Sequence, residues 1–184
     1  MMVGVEIGGQ RPAGFDQPLE LLKDCHRRIE HFLDVLKQVV ERFGDGPLPM
    51  EGRRALEASL DYFARMAPRH TADEEQSLFP RLRASGAAEA RAVMAELDRL
   101  EAEHRRADAC HAKVDELGRA WLQAERIDVP DRTALRALLD ELIALYAAHI
   151  RLEDERVFEV AAQTLKASDL SEVGKEMRRR RTDI

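Results

Sequence analysis

HTADEEQSLFP, the stretch from residue 70 to residue 80, recurs in outline as HIRLEDERVF, from residue 149 to residue 158. In both stretches a Glu follows the His by four residues and a Phe follows it by nine. Four residues turn an α-helix through about 400°, so the His and the Glu lie on the same helical face. Each stretch therefore offers one imidazole and one carboxylate that point the same way.

A second pair of histidines repeats at nearly the same offset. His26 and His104 are each followed by two arginines, and the interval between them is only one position shorter than the interval from His70 to His149. This pattern indicates two helical hairpins related by a pseudo-two-fold axis. It predicts an all-α fold, an up-down-up-down four-helix bundle in which four imidazoles and two carboxylates meet at the centre.

The composition agrees with long amphipathic helices. Charged residues make up 35% of the 184 residues and aromatic residues only 5%, a balance typical of helical proteins. The net charge of −6 argues against nucleic acid as a partner. No stretch approaches 18 uncharged apolar residues, which argues against a membrane partner. The absence of a signal-peptide pattern predicts a cytoplasmic location, and two isolated cysteines, which form no disulfide framework, fit that location.

Three parts of the chain can be distinguished. Residues 1–15 lack the basic and apolar regions of a signal peptide and predict a flexible N-terminal arm. Residues 16–166 contain the four long apolar patterns of the bundle. Residues 167–184 predict a short extra C-terminal helix and a basic tail. The arginines of that tail, residues 178–181, are interpreted as solvated, because the protein as a whole is acidic.

The predicted helix boundaries rest on capping residues and helix breakers. The first helix is expected to begin after Asp16. The second runs from about residue 50 to residue 82, with a bend at Pro68, which lacks a backbone donor. The third runs from about residue 87 to residue 126. The fourth is expected to open at Asp131 and to continue to about Leu165.

Four imidazoles and two carboxylates inside an apolar bundle indicate a metal site. Without a cation the carboxylates would be desolvated, at several kcal/mol per ion. Two divalent ions would remove that cost if each carboxylate gave one oxygen to each metal. Imidazole and carboxylate ligands with open positions suit redox-active iron. The candidate ligands are His26, His70, Glu74, His104, His149 and Glu153.

Residues near the ligands allow other interpretations. Ferritin-like di-iron sites use Glu-x-x-His on two helices, and here Glu101 and His104 are the one such pair. His111, seven residues after His104, is favoured over a seventh ligand as a histidine of the core or one that supports a ligand. Tyr146 is one turn from His149 and is favoured as a packing residue, although a hydrogen bond to a bound ligand is within its reach. Acids near the ligands, Glu75 and Glu155, are expected to be solvated or to orient imidazole N–H groups.

The motifs resemble those of bacterial hemerythrin-like proteins of the HHE cation-binding family. The resemblance covers roughly residues 19–165. It implies that His26 and His70 hold one iron and that His104 and His149 hold the other. It also implies that Glu74 and Glu153 bridge two non-haem irons, with an oxo or hydroxo bridge between them.

The chain departs from oxygen-carrying hemerythrins at two places. They have a further His four residues after the ligand on the third helix, where this chain has Asp108. Their acid on the fourth helix is an Asp five residues after its His, where this chain has Asp154 beside Glu153. The resemblance therefore points to members that sense oxygen or redox state, handle iron, or react with peroxide or nitric oxide.

The functional prediction is a non-haem di-iron protein that binds or senses oxygen, peroxide or nitric oxide at an open iron position. The alternatives are iron handling or repair, in which the site donates metal, and an interaction module with a structural metal. Enzyme status stays open, because no general acid or nucleophile is evident. A separate protein partner and a homodimer also stay open, as does whether His111 or Asp108 adds a ligand.

Overall fold

The computed structural model describes residues 13–182, and in this part of the chain every regular element is a helix. The all-α prediction is therefore confirmed. None of these helices combines the length and apolar character that a membrane crossing needs. In chain order the elements are α1 (Pro18–Phe43), α2 (Met50–Arg65), α3 (Ala67–Asp73), π1 (Glu74–Leu78), α4 (Phe79–Ala84), α5 (Ala88–Arg91), α6 (Met94–Ala124), α7 (Val129–Leu152), π2 (Glu153–Val157), α8 (Phe158–Thr164) and α9 (Ala167–Thr182).

Four long helices enclose the core. Helix α1 packs against α2 and α7, and α6 packs against the same two helices. Their apolar residues recur every three or four positions, so each helix buries one continuous stripe. The buried side chains form two clusters, one around Leu36, Leu56 and Trp121 and the other around Phe79 and Phe158. Along each ligand-bearing helix the predicted ligands fall between these two clusters.

Two π-helical turns interrupt the predicted second and fourth helices at equivalent places. The first begins at Glu74, whose carbonyl accepts a hydrogen bond from the Phe79 N–H. The second begins at Glu153, whose carbonyl accepts one from the Phe158 N–H. A bond spanning five residues widens the turn, and such turns are frequent at functional sites. Sequence periodicity gives no sign of them.

Pro68 does interrupt the second helix, as predicted. Helix α2 ends at Arg65 and α3 begins at Ala67, with Met66 between them at φ −97° and ψ −37°. A proline cannot donate the backbone hydrogen bond that would continue the preceding turn. The interruption at Met66 lies four residues, about one helical turn, before the candidate ligand His70.

Several predicted boundaries are wrong in detail. Asp16 does not cap α1, which begins at Pro18 after Gln17, and Gln17 makes no side-chain capping bond. The predicted third helix is divided into α5 and α6 at residues 92 and 93. Helix α7 begins at Val129, before Asp131, because the Asp128 carboxylate accepts the Asp131 backbone N–H at 2.8 Å.

Helix α9 is anchored against the end of the core that contains Phe79 and Phe158. Val173 and Met177 are buried in that cluster. The interpretation of residues 178–181 as a solvated tail is wrong for two of the four arginines. Arg180 and Arg181 donate to the fully buried Asp73 carboxylate at 2.9 Å and 2.6 Å. Most of the predicted arm, residues 1–12, lies outside the described residues.

Candidate metal centre

The six candidate ligands converge in one buried layer. Each is at most 5% exposed, and both carboxylates are completely buried. The histidines come from four different helices and the carboxylates from the first residues of π1 and π2. The contributions are His26 from α1, His70 from α3, Glu74 from π1, His104 from α6, His149 from α7 and Glu153 from π2.

The layer has two halves, one with His26 and His70 and the other with His104 and His149. Glu74 lies between them. Its Oε1 is 3.4 Å from His70 Nε2 and 3.7 Å from His26 Nε2. Its Oε2 is 3.4 Å from His104 Nε2. One carboxylate therefore directs one oxygen toward the first pair of imidazoles and the other oxygen toward the second pair.

Glu153 repeats this arrangement from the opposite hairpin. Its Oε1 is 3.4 Å from His149 Nε2 and its Oε2 is 3.1 Å from His26 Nε2. Asp154, the alternative acid of the fourth helix, does not enter the centre, because its carboxylate lies beside His26 Nδ1 instead. The π2 turn thus presents Glu153 rather than Asp154 to the layer.

The polar atoms of the layer fit a bound cation. In the described part of the chain no hydrogen-bond partner exists for His26 Nε2, His104 Nε2, His149 Nε2 or the four oxygens of Glu74 and Glu153. Buried polar atoms without partners are costly. The donor atoms of His26, His70, Glu74 and Glu153 lie within 4.8 Å of one another, as do those of His104, His149 and Glu153. Imidazole and carboxylate donors at such separations can hold divalent metal ions.

Carboxylates outside the layer lie within hydrogen-bond distance of Nδ1 in three of the four imidazoles. When the imidazole is neutral, such a contact favours the tautomer with the proton on Nδ1, which leaves the Nε2 lone pair for a metal ion at the centre. The three Nδ1 contacts are His26 with Asp154 at 2.8 Å, His104 with Glu75 at 2.9 Å and His149 with Glu103 at 3.0 Å.

Sequence reasoning finds one of these three acids. Glu75, expected to orient an imidazole or to face solvent, contacts His104. Glu155, for which the expectation is the same, is exposed. Sequence reasoning misses Asp154 and Glu103 as orienting residues. The repeat offers a signal for Asp154, because it follows His149 by five positions just as Glu75 follows His70.

The buried charges shift one another's ionisation. Burial opposes the charged form of His104, but contacts with Glu74 and Glu75 outweigh it and raise the pKa to about 9. For His70 burial prevails and lowers the pKa to about 4. Burial opposes ionisation of Glu74, yet the surrounding imidazoles hold its pKa well below the usual value. Without metal, protons on the imidazoles balance the negative carboxylates. Bound metal cations would replace those protons.

His111 lies outside the ligand layer, as the sequence favoured. Its Nε2 is 3.2 Å from the Tyr146 hydroxyl, and its ring stacks on Phe63 with centroids 4.3 Å apart. Burial lowers its pKa to about 4, so the imidazole is neutral near pH 7. Asp108 is exposed. Neither residue belongs to the donor groups found among residues 13–182.

A cavity adjoins this histidine on the side of α2, α3 and α6. Its volume is about 220 Å³. The walls include Phe63 and Ala67 on one side and Asp108, His111 and Ala112 on the other. Ala67 lies one helical turn before His70, so the cavity lies close along the chain to the ligand layer.

The helices of residues 13–182, with buried imidazoles and carboxylates of this geometry, define a helical metal-binding protein. The chain belongs to the hemerythrin family, since the hemerythrin HHE cation-binding domain matches residues 17–161. It is also similar to an uncharacterized protein of Haemophilus influenzae, with 31% identity over 179 residues that cover 94% of both chains. The family resemblance inferred from the motifs is confirmed.

Proposed function

We propose that the protein is a non-haem di-iron protein that binds oxygen, peroxide or nitric oxide at an open iron position. The observation that carries the proposal is the division of the two carboxylates. Glu74 and Glu153 each direct one oxygen toward each half of the layer. In this proposal one ion is held by His26 and His70, the other by His104 and His149, and both ions by the two bridging glutamates.

The number and type of donors favour iron with room for a further ligand. Each half offers two imidazole nitrogens and up to two carboxylate oxygens. Four protein donors leave positions open on an ion that prefers six. Iron would supply the electrons for binding or reducing a small molecule, and the chain would supply orientation and exclusion of bulk water.

Aromatic side chains close the layer on one side. Phe158 stacks on His26 with centroids 5.5 Å apart, and Phe79 stacks on His104 with centroids 6.4 Å apart. Both phenylalanines are at most 1% exposed. They restrict rotation of the imidazoles and keep water from the buried carboxylates, which strengthens the electrostatic interactions inside the layer.

The cavity beside His111 is the proposed route for the small ligand. It is bounded by Ala67 and Pro68, which precede His70, and by residues of α6. Ala112 lines it and is itself exposed, so its substitution leaves the core intact. We expect Ala112→Trp to slow reoxidation of the reduced protein by air without changing its metal content. Stopped-flow absorption after mixing with oxygenated buffer measures that rate.

A matched variant separates obstruction from a general effect of tryptophan. Ala109 lies on the same helix, is exposed and does not line the cavity. Ala109→Trp should reoxidise at the wild-type rate. Equal rates for both tryptophan variants and the wild type would argue for another route.

The architecture implied by the family supports the same proposal. We infer that the long helices form an up-down-up-down bundle spanning residues 16–166, with α9 as an added C-terminal element. The ligands then come from all four sides of the bundle, which is where such folds build metal sites.

The direct test combines metal analysis with spectroscopy. Protein produced in iron-replete medium should contain about two irons per chain. Its near-ultraviolet bands should be lost on anaerobic reduction and return on exposure to air. His70→Ala should reduce metal loading, and a fully loaded His70→Ala protein would contradict the ligand assignment. Zinc, or iron without a redox-linked spectrum, would favour a structural or metal-donating role instead.

A further inference from the structure

Three of the four imidazoles are held at the nitrogen that faces away from the layer, and one is not. Asp154, Glu75 and Glu103 contact the Nδ1 atoms of the three held histidines. His70 is 5% exposed, and its Nδ1 is buried without a hydrogen-bond partner among residues 13–182. The half of the layer that contains His70 therefore has one oriented imidazole, while the other half has two.

The internal repeat shows which residue is missing. Glu103 directly precedes His104 and contacts His149 across the helices. The residue that directly precedes His26 is Cys25. By the repeat, a carboxylate at position 25 would reach His70 as Glu103 reaches His149.

The surroundings of positions 25 and 103 also differ. Glu103 is itself held, because its Oε1 accepts from Arg99 Nε at 2.7 Å. The counterpart of Arg99 in the first half of the repeat is the buried Leu21, which precedes His26 as Arg99 precedes His104. Cys25 is 6% exposed, and no disulfide involves it. Burial raises the pKa of its thiol, with nearby Arg181 opposing the shift.

We propose that the two metal positions are unequal, and that the ion at His26 and His70 is the exchangeable one. This inference rests on the proposed di-iron function. Because His70 Nδ1 has no carboxylate partner among residues 13–182, no hydrogen bond fixes its tautomer, and the ring lacks the negative partner that makes the lone pair of a metal-binding imidazole more basic. Loss of such a partner typically lowers metal affinity about 10-fold to 100-fold. The protein thus retains one ion firmly and exchanges the other.

An anaerobic titration with iron(II) in competition with a colorimetric chelator tests the inequality. The wild type should show two ions per chain whose release differs about 10-fold to 100-fold in rate. Glu103→Ala removes the partner of His149, so the firmly held ion should become as labile as the other. Cys25→Glu supplies the missing partner, with Arg181 beside it, and should slow release of the labile ion.

Controls assign the effect to the carboxylate. Cys25→Ala removes the thiol without adding a partner and should leave both release rates unchanged. Glu103→Gln keeps an oxygen that can accept from His149 Nδ1–H but removes the negative charge, so its release rate should lie between those of the wild type and Glu103→Ala. Circular dichroism establishes that each variant is folded, and the Glu103 variants decide the matter if Cys25→Glu does not fold.

The possible failures are distinguishable. Two ions released at one rate by the wild type would overturn the inequality while leaving the di-iron proposal intact. Unchanged release from Glu103→Ala would do the same. A wild-type protein that binds no iron would remove both the proposed function and this inference.

Discussion

At the residue scale, Glu153 and Glu155 show how two glutamates of one motif take opposite roles. Glu153 is completely buried between His149 and His26, whereas Glu155 is exposed on the same turn. Glu153→Gln replaces one oxygen with an NH₂ group, which cannot bind a cation. We expect metal content to fall from about two ions to at most one per chain, measured by elemental analysis.

The matched variant is Glu155→Gln, which should keep the wild-type metal content. It makes the same chemical change two residues away, on a side chain that does not reach the layer. A Glu153→Gln protein with two ions would mean that the Glu153 carboxylate does not bridge.

His111 gives a prediction for pH. Burial lowers its pKa to about 4 from 6.5, so between these values the unfolded chain binds more protons than the folded one. The free energy of unfolding should therefore fall as pH drops from 6.5 toward 4, by about 2 to 3 kcal/mol from this residue. Urea unfolding of metal-free protein at pH 7.5 and pH 4.5 measures the change.

His111→Phe isolates that contribution from those of the ligands. A phenylalanine retains the stacking position on Phe63 and does not titrate. The variant should lose less stability than the wild type over the same pH interval. Parallel losses would show that His111 is not kept neutral by burial.

The convergence of the six candidate ligands was predictable from sequence, but most of the contacts around them were not. A four-residue spacing on a helix and one repeat at a near-constant offset were enough to select six side chains. The Nδ1 contacts of His26 and His149 depend on how neighbouring helices are rotated about their axes. That rotation is set by tertiary packing and by the π turns, for which sequence periodicity carries no signal.

At the scale of elements, the contact between α9 and the start of π1 could not be predicted from the sequence. Asp73 precedes Glu74 and accepts from Arg180 and Arg181. Arg180 also donates to the Ser77 hydroxyl at 2.8 Å, inside π1. A run of arginines near the end of an acidic chain is usually solvated, and only a docked helix reveals a buried acid as its partner.

Asp73→Asn tests this contact. The amide fills the same space but leaves two guanidinium groups against a neutral partner. Removing one member of a buried ion pair is strongly destabilising, although these arginines keep some exposure. We expect the free energy of unfolding to fall by about 2 to 4 kcal/mol, measured by urea denaturation at pH 7.5.

An exposed ion pair on α9, the helix that carries Arg180 and Arg181, provides the comparison. Glu172 accepts from Lys175 at 2.6 Å, and both side chains are exposed. Glu172→Gln should leave the free energy of unfolding nearly unchanged, because exposed pairs are screened by water. Similar losses for both variants would mean that Asp73 makes no special contribution.

At the scale of the whole molecule, metal binding and folding should be linked. The six candidate ligands come from helices far apart in the chain, so the unfolded chain has no preformed site. An ion at about 1,000 times its Kd stabilises the fold by about 4 kcal/mol. We expect a strong chelator to lower the thermal unfolding temperature of the loaded protein, and readdition of iron(II) to restore it.

The control for this prediction is the Glu153→Gln variant. Its unfolding temperature should respond less to the chelator, since it holds fewer ions. An unfolding temperature unaffected by chelation in the loaded wild type would mean that the ions contribute nothing to the stability of the fold.

Because the two copies of the motif are separated by a near-constant offset, each position in one copy can be compared with its equivalent in the other. Equivalent places carry different residues, with Cys25 opposite Glu103 and Ala67 opposite Tyr146. Because the motif is present twice, one copy can be changed by substitution while the other is left as it is. Exchanging residues between the copies therefore compares two sets of residues around a metal position inside a single molecule, under identical solvent and temperature.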